Sequence, residues 1–342
     1  MPPLRSTIQP LVRDLAGAFL LASGVTHPSR AARGRLTVVT FHRVLPAERL
    51  REYPLSEIAV SVDEFSWFVE FFARHYTCGT LAAMHRRWLQ GDRPDRPLLA
   101  ITFDDGQLDD YEHARPVLDR AGLKASLFVP VEGVDCDELL WHDRLGYAAA
   151  RLLAVARPRA LALLGGEGDD HEILKAAMER AKRLSPADRL DLVARVEACV
   201  PGSARPGWDG LMSWEQLRTL VRSGHEVGSH SVTHSILPLV DDAQLEREVA
   251  GSKTRLEAEL KVPCESFCYP NGDCDGRVVE AVRRAGYLRA VTTAWGPNAP
   301  GADPFQLTRC DIEAQRARSR TGTLSEPRLA LRLSHFFPGP SR

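Results

Sequence analysis

Short, uniformly apolar runs alternate along this chain with longer stretches whose apolar residues recur at helical spacing. Residues 36–41 (LTVVTF) are β-branched and continuous, which predicts a buried strand that hands directly to His42. Ser61-Val-Asp-Glu-Phe predicts a helix start, with Ser61 as N-cap and Glu64 at the capping-box position. Phe65, Phe68, Val69 and Phe72 then share one face of that helix. Residues 97–103 (PLLAITF) predict another buried strand ending at Asp104, followed by a helix over 109–121 that Gly122 stops and a strand over 125–129. From about 143 to 206 the chain is rich in Ala, Leu and Arg and helically periodic on both sides of Gly165-Gly166, which predicts a helical insertion or lid. Beyond it the pattern predicts helices over 214–223, 241–260 and 275–285, and strands over 226–228, 266–268, 288–292 and 307–310. This alternation predicts an α/β domain with parallel strands. The tail after Arg309 is Arg/Ser-rich and expected to be poorly ordered, apart from an apolar piece over 329–337.

Composition narrows the partners. The 342 residues are 44% hydrophobic, ample for a full core. Lys plus Arg number 44 against 45 Asp plus Glu, a net charge of -1, which argues against nucleic acid as the main partner and favours a neutral or weakly charged substrate. The seven cysteines are scattered with no paired CxxC motifs, so a zinc ribbon is not expected. Cys264, Cys268 and Cys274 do cluster, and buried free thiols are the reading preferred there. Free thiols point to a reducing compartment. Near the start, the apolar run over 15–25 follows Arg5 and Arg13 like a signal h-region, but Asp14 touches it and it is too short to span a bilayer. A helix packed on the domain or lying on a membrane face is preferred.

Two constellations carry chemistry. In Thr102-Phe103-Asp104-Asp105-Gly106, adjacent carboxylates sit where a strand ends, which is where parallel sheets bind ligands. One carboxylate can hold a metal while the other acts as a base. In His230-Ser231-Val232-Thr233-His234, i, i+4 spacing on one helical turn would put both rings on one face. One Asp and two His leave a coordination position open, as a catalytic rather than a structural site requires.

TFDDG followed by HSxxH resembles the polysaccharide deacetylase family, the NodB-homology group or carbohydrate esterase family 4, over about residues 36–312. The resemblance implies a distorted (β/α) barrel with a helical insertion. It also implies that Asp104 is the base and that Asp105, His230 and His234 are ligands of a divalent metal, with Zn²⁺ the first expectation. Phe267-Cys268-Tyr269-Pro270-Asn271-Gly272 looks like the family's third motif, in which the Tyr269 backbone N–H would help hold the oxyanion beside Pro270 and Asn271. The Arg usual before that Pro is missing, and Arg309 is the substitute candidate for orienting the base. No histidine lies between His234 and His335, where the family takes its acid. Phe41-His42-Arg43-Val44 instead resembles the permuted branch of poly-N-acetylglucosamine deacetylases, which makes His42 the acid, on the leaving-group side and with a carboxylate neighbour. Trp141-His142-Asp143 could line the cleft, and Trp214 and Trp295 could offer stacking faces, although core packing is the safer expectation for both.

The expected organisation is an N-terminal helical segment (1–35), a deacetylase domain (36–312) with its insertion, and a C-terminal tail (313–342). The expected activity is removal of N-acetyl groups from a polysaccharide, oligosaccharide or lipid-linked glycan. An O-acetyl or formyl hydrolase and a silent carbohydrate-binding protein are the alternatives. The insertion is expected to shape one wall of the cleft, or to dock on a membrane or partner, without giving catalytic groups. The expected compartment is the cytoplasm, with peripheral membrane association and an exported or periplasmic setting kept as alternatives.

Overall fold

The strands are β1 (Leu36–Phe41), β2 (Arg43–Leu45), β3 (Ala59–Ser61), β4 (Thr77–Gly79), β5 (Leu98–Phe103), β6 (Ser126–Val129), β7 (Glu226–Ser229), β8 (Ser266–Cys268), β9 (Arg289–Trp295) and β10 (Leu307–Asp311). The computed structural model describes residues 14–136, 138–202 and 204–337. Order β1-β10-β9-β8-β7-β6-β5, with β1 pairing β5, closes seven parallel strands into a barrel. β4 pairs the early residues of β5 and β6 its last two, so one edge of β5 serves both. The small parallel pair β2–β3 stands apart.

The period of two along each strand sorts its side chains. Leu36 and Val38 of β1, Leu98 and Ala100 of β5, Phe128, Cys268, Val291 and Leu307 gather in one cluster with Leu81, Met84 and Trp88. Those last three come from α2 (Leu81–Leu89), which together with the strand residues fills the barrel interior. Val39, Phe41, Leu99, Ile101 and Phe103 join the larger cluster under the outer helices. Both faces are thus covered, and every residue of β1 and β5 is buried. Continuing the inward series places His42, Asp104 and Arg309 at the same rim.

The expected helices are present with small changes of boundary. α1 (Val62–His75) carries the Ser61/Glu64 capping box. The helix after Asp104 is a π segment, Asp110–Ala114, that runs into α3 (Arg115–Arg120). The insertion is α4 (Trp141–Leu164), α5 (Asp170–Lys182) and α6 (Pro186–Glu197). It has a core of its own, built around Leu145, Leu152, Ile173, Ala177 and Val193, that seats on Leu45, Leu55 and Ala59 beside β2–β3. α7 (Trp214–Arg222) precedes β7, α8 (Ser252–Leu260) precedes β8 and α9 (Gly276–Arg284) precedes β9.

One expectation changes. The stretch beyond β10 is not loose: α10 (Glu326–Arg332) buries Leu329 and Ala330, with Leu333, in the main core, because its apolar spacing gives it a face to pack. Residues 14–22 are helical, and Asp14 pairs with Arg328 of α10 at 2.6 Å, while Leu15 and Phe19 are 63% and 71% exposed. Arg5 and Arg13 lie outside the described residues. Trp214 and Trp295 do not line the catalytic cavity; Trp214 is buried in the core and Trp295 packs under Arg332. Among the described residues no helix is long and apolar enough to cross a membrane.

Candidate active site

β1 and β5 run in register, Phe41 opposite Phe103, so the next residues, His42 and Asp104, emerge side by side. Asp105 (φ 74°) and Gly106 (φ 68°) then take two successive left-handed conformations, turning the chain sharply off the strand. A Cβ on Gly106 would sit 3.0 Å from Val129 Cγ1, so the turn also needs the missing side chain. The non-Gly residue Asp105 held in this conformation is a strained backbone position of the kind that clusters at functional sites.

His230 directly follows β7, its N–H bonding the Val129 carbonyl at 3.0 Å. The expectation that His230 and His234 share a helical turn is not met. They lie on a loop in which Ser231 (φ 67°) and His234 (φ 55°) are left-handed, and the two rings converge through that loop, 4.7 Å apart between centroids. Buried Glu248 fixes the loop: one oxygen accepts the Val232 and Thr233 N–H groups at 2.9 Å each, and the other accepts the Thr233 hydroxyl at 2.6 Å. No motif in the sequence marked Glu248; it lies on the long helix expected over 241–260.

Asp105 Oδ1 lies 3.4 Å from His230 Nε2 and 3.2 Å from His234 Nε2, and it is buried without a hydrogen-bond partner among the described residues. His230 Nδ1 donates to the Cys268 carbonyl at 2.8 Å, which turns its Nε2 towards Asp105. The ligand atoms of Asp105, His230 and His234 all fall within 4.8 Å of one another. One carboxylate and two imidazoles suit Zn²⁺, and Fe²⁺, Co²⁺ or Ni²⁺ as well, so the residues fit the metal that the sequence implies. Asp104, His230 and Cys268 meet the same distance test. That set is the poorer one, because both Asp104 oxygens are already bonded to Arg309 and burial keeps the Cys268 thiol protonated, pushing its pKa up. The seven cysteines are all free.

Arg309 forms a fork on Asp104, NH1 to Oδ1 and NH2 to Oδ2, each at 2.7 Å. Its Nε donates to the Thr292 carbonyl and its NH1 also reaches the Thr40 hydroxyl, which fixes the plane of the fork. Burial pushes the Asp104 carboxyl up, but the Arg309 cation outweighs it and holds the carboxyl below its ordinary value. His42 Nε2 stands 3.8 Å from Asp104 Oδ2. The expected carboxylate neighbour of His42 is therefore Asp104 itself, and the histidine lies beside the expected base, not across from it, because β1 and β5 are adjacent strands in register.

The third motif needs a correction. The Tyr269 N–H bonds the Val291 carbonyl at 3.2 Å, extending the β8–β9 ladder, so it is not turned to an oxyanion. The Tyr269 hydroxyl donates to the Phe305 carbonyl. Pro270 is buried and opens a 3₁₀ turn; Asn271, left-handed at φ 59°, bonds Asp273 through its amide and lines the cavity with Tyr269 and Gly272. Gly272 is needed there, since a Cβ would collide with Thr293.

A cavity of about 480 Å³ opens over this rim. His42, Asp104, Asp105, His230, His234 and Arg309 line its floor, and Met178, Lys175 and Lys182 of α5 stand in one wall. Trp141 and His142 border it, His142 Nε2 lying 3.5 Å from Asp105 Oδ2. Behind them runs a buried network with Arg43 at its centre. Arg43 bonds Asp109 at 2.8 Å and Asp209 at 2.7 Å, and lies 3.8 Å from Asp143. Tyr147 donates to Asp209 at 2.6 Å. In the sequence Arg43 and Asp143 stood out only beside His42 and His142, with no sign that they meet; the acids of the network come from separate segments.

Residues 191–290 match the family model described as polysaccharide deacetylase, a span that holds His230, His234 and Tyr269 and begins well after Asp104 and Asp105. YxkH of Bacillus subtilis (strain 168), a protein named for polysaccharide deacetylation, is 20% identical over 237 residues. That match takes in 69% of this chain, and the chain spans 59% of that relative's length. The Streptococcus pyogenes deacetylase PplD, solved with acetate, superposes with a TM-score of 0.56 at 15% identity over 82% of this chain and 94% of its own. IcaB from Ammonifex degensii gives 0.50 at 19% identity over 81% and 91%. At these identities the solved structures speak to the fold, and the fold they share is the barrel described above.

Proposed function

We propose that the chain is a polysaccharide deacetylase, as its match to that family's model over residues 191–290 supports, and that it acts as a metal-dependent hydrolase that removes N-acetyl groups from sugars. The observation that carries this reading is Asp105 Oδ1, buried and unbonded between two imidazole nitrogens, next to a second carboxylate gripped by arginine. A divalent ion on Asp105, His230 and His234 would polarise the acetyl carbonyl and the attacking water.

The chain's own groups divide the remaining work. Asp104, ionised by its Arg309 fork, accepts the proton of the water as it attacks the carbonyl carbon. Arg309 keeps both carboxylate oxygens in the plane the fork sets, so Asp104 meets the water in one orientation. An amine leaves poorly unless protonated, and His42 is placed to supply that proton. Its ring lines the same cavity and stands 3.8 Å from Asp104, so the proton taken from water needs only a short step to the imidazole that delivers it. The histidine's place on β1, ahead of every other site residue in the chain, supports the permuted branch and makes β-linked N-acetylglucosamine oligomers the first substrates to try.

The test is acetate release from a panel of N-acetylated oligosaccharides, lipid-linked N-acetyl sugars and O-acetylated sugars, with and without chelator. Chelator-sensitive acetate from the N-acetylated members is expected. Release from the O-acetylated sugars alone would make the enzyme an O-acetyl esterase, and sugar binding with no acetate from any member would leave a carbohydrate-binding protein.

A further inference from the structure

The metal-centred reading above leaves one buried group beside Asp105 unused. His142 lies on the first turn of α4, where the insertion leaves the barrel. Its side chain is 11% exposed, and its Nε2 is buried with no hydrogen-bond partner among the described residues. That nitrogen sits between two carboxylate oxygens, 3.5 Å from Asp105 Oδ2 and 3.6 Å from Asp143 Oδ2. Both distances exceed a formed hydrogen bond. The ring is therefore poised between two acceptors.

The two acceptors are not equal. Asp143 is already satisfied: Tyr53 donates to its Oδ1 at 2.7 Å and Gln107 to its Oδ2 at 2.9 Å. Asp105 turns Oδ1 to His230 and His234, and Oδ2 is the oxygen that faces His142. His142 does not join the group of ligand atoms lying within 4.8 Å of one another, although its ring centroid is 5.2 Å from that of His234. It is too far out to be a ligand and close enough to hold one.

We propose that His142 is a positioning residue of the metal centre: its Nε2–H donates to Asp105 Oδ2 and leaves Oδ1 alone to bind the ion. Asp143, locked by Tyr53 and Gln107, anchors the helix turn that carries His142. The insertion thus reaches the metal through its first turn, a role the sequence did not suggest. This inference rests on the metal reading of Asp105, His230 and His234.

The experiment measures ion affinity, independently of turnover. Zn²⁺ dissociation constants are read by competition with a chromophoric chelator for the wild-type chain, His142→Phe, which keeps a ring without a donor, and His142→Gln, which keeps a donor. Visible spectra of the Co²⁺-loaded proteins report the ligand set. Loss of an outer hydrogen bond to a ligand weakens binding about 10–100-fold, so that loss is expected in His142→Phe, with most of it restored in His142→Gln and the Co²⁺ spectrum keeping its coordination type in both. Affinity within about twofold of wild type in His142→Phe overturns the proposal. A change of coordination type in the Co²⁺ spectrum also overturns it, by making His142 a ligand. Failure of His142→Gln to bind better than His142→Phe removes the donor role. A wild-type chain that takes up no divalent ion overturns the metal reading itself, an outcome distinct from an affinity change confined to the variants. Thermal melts of the metal-free variants accompany the titrations; should His142→Phe not fold, His142→Gln against wild type decides, with a spectrum of changed type or an affinity loss beyond about 100-fold counting against the proposal.

Discussion

Single side chains at this rim have separable duties. Asp104→Asn cannot accept a proton but leaves Asp105, His230 and His234 in place. Turnover should fall by about 10²–10⁴-fold with ion content unchanged; acetate release and bound-metal analysis on the same sample check it, and a near-normal rate would move the base elsewhere. Arg309→Met leaves the Asp104 charge buried and unpaired, which costs about 3–5 kcal/mol. Urea unfolding should show that loss, and adding Asp104→Asn should recover part of it, since the amide is neutral. His42→Ala should lower turnover by about 10²–10⁴-fold while ion content holds, and full activity would mean that another donor protonates the amine. Most of these residues were legible in the sequence, because acids and histidines at strand ends stand out against apolar runs. The fork from Arg309 was legible only as a substitute for an absence. The direction of the Tyr269 N–H was not legible, because whether a strand-end amide faces a neighbour or a cavity depends on register, and register is set by partners distant in the chain.

Elements place these groups, and the sequence reported elements unevenly. Long apolar or capped segments such as β1, β5 and α1 were readable from local pattern alone. Of the three-residue strands, β8 was readable between two helical patterns, whereas β2, β3 and β4 were not, since so few residues carry no period. The His230–His234 loop is the costliest miss: i, i+4 spacing fits a helix, but two left-handed residues bring the rings together without one. Glu248 is what the local pattern could not show, for its partners lie 15 and 16 residues away in sequence. Glu248→Ala should strip two amides and a hydroxyl of their acceptor, costing about 1–3 kcal/mol for a buried group left unsatisfied. It should also weaken divalent-ion affinity although no ligand is removed. Calorimetry of melting and chelator competition test the pair of effects; lost stability with unchanged affinity would confine Glu248 to the fold.

The whole molecule carries a pH dependence independent of the metal centre. His85 and His225 are buried, and burial pulls each pKa down to about 4. An unfolded histidine takes up its proton below about 6.5. Between about 6.5 and 4 the unfolded chain therefore holds protons that the folded one refuses, so stability is full above that window and declines as pH falls through it. Urea midpoints should drop between pH 7.5 and pH 5, and His225→Asn should flatten the slope; a slope unchanged in His225→Asn would mean that this ring titrates normally in the fold. One property of the closed seven-strand sheet reaches further. A ring has no first member. β1 lies between β10 and β5, so the strand that brings His42 could stand last in the chain as readily as first without moving any atom of the rim. A gene in which residues 36–45 are cut from the front and rejoined beyond β10 through a linker long enough to pass α10 should therefore encode the same catalytic rim, and linear order becomes an accident of where the loop of strands was opened.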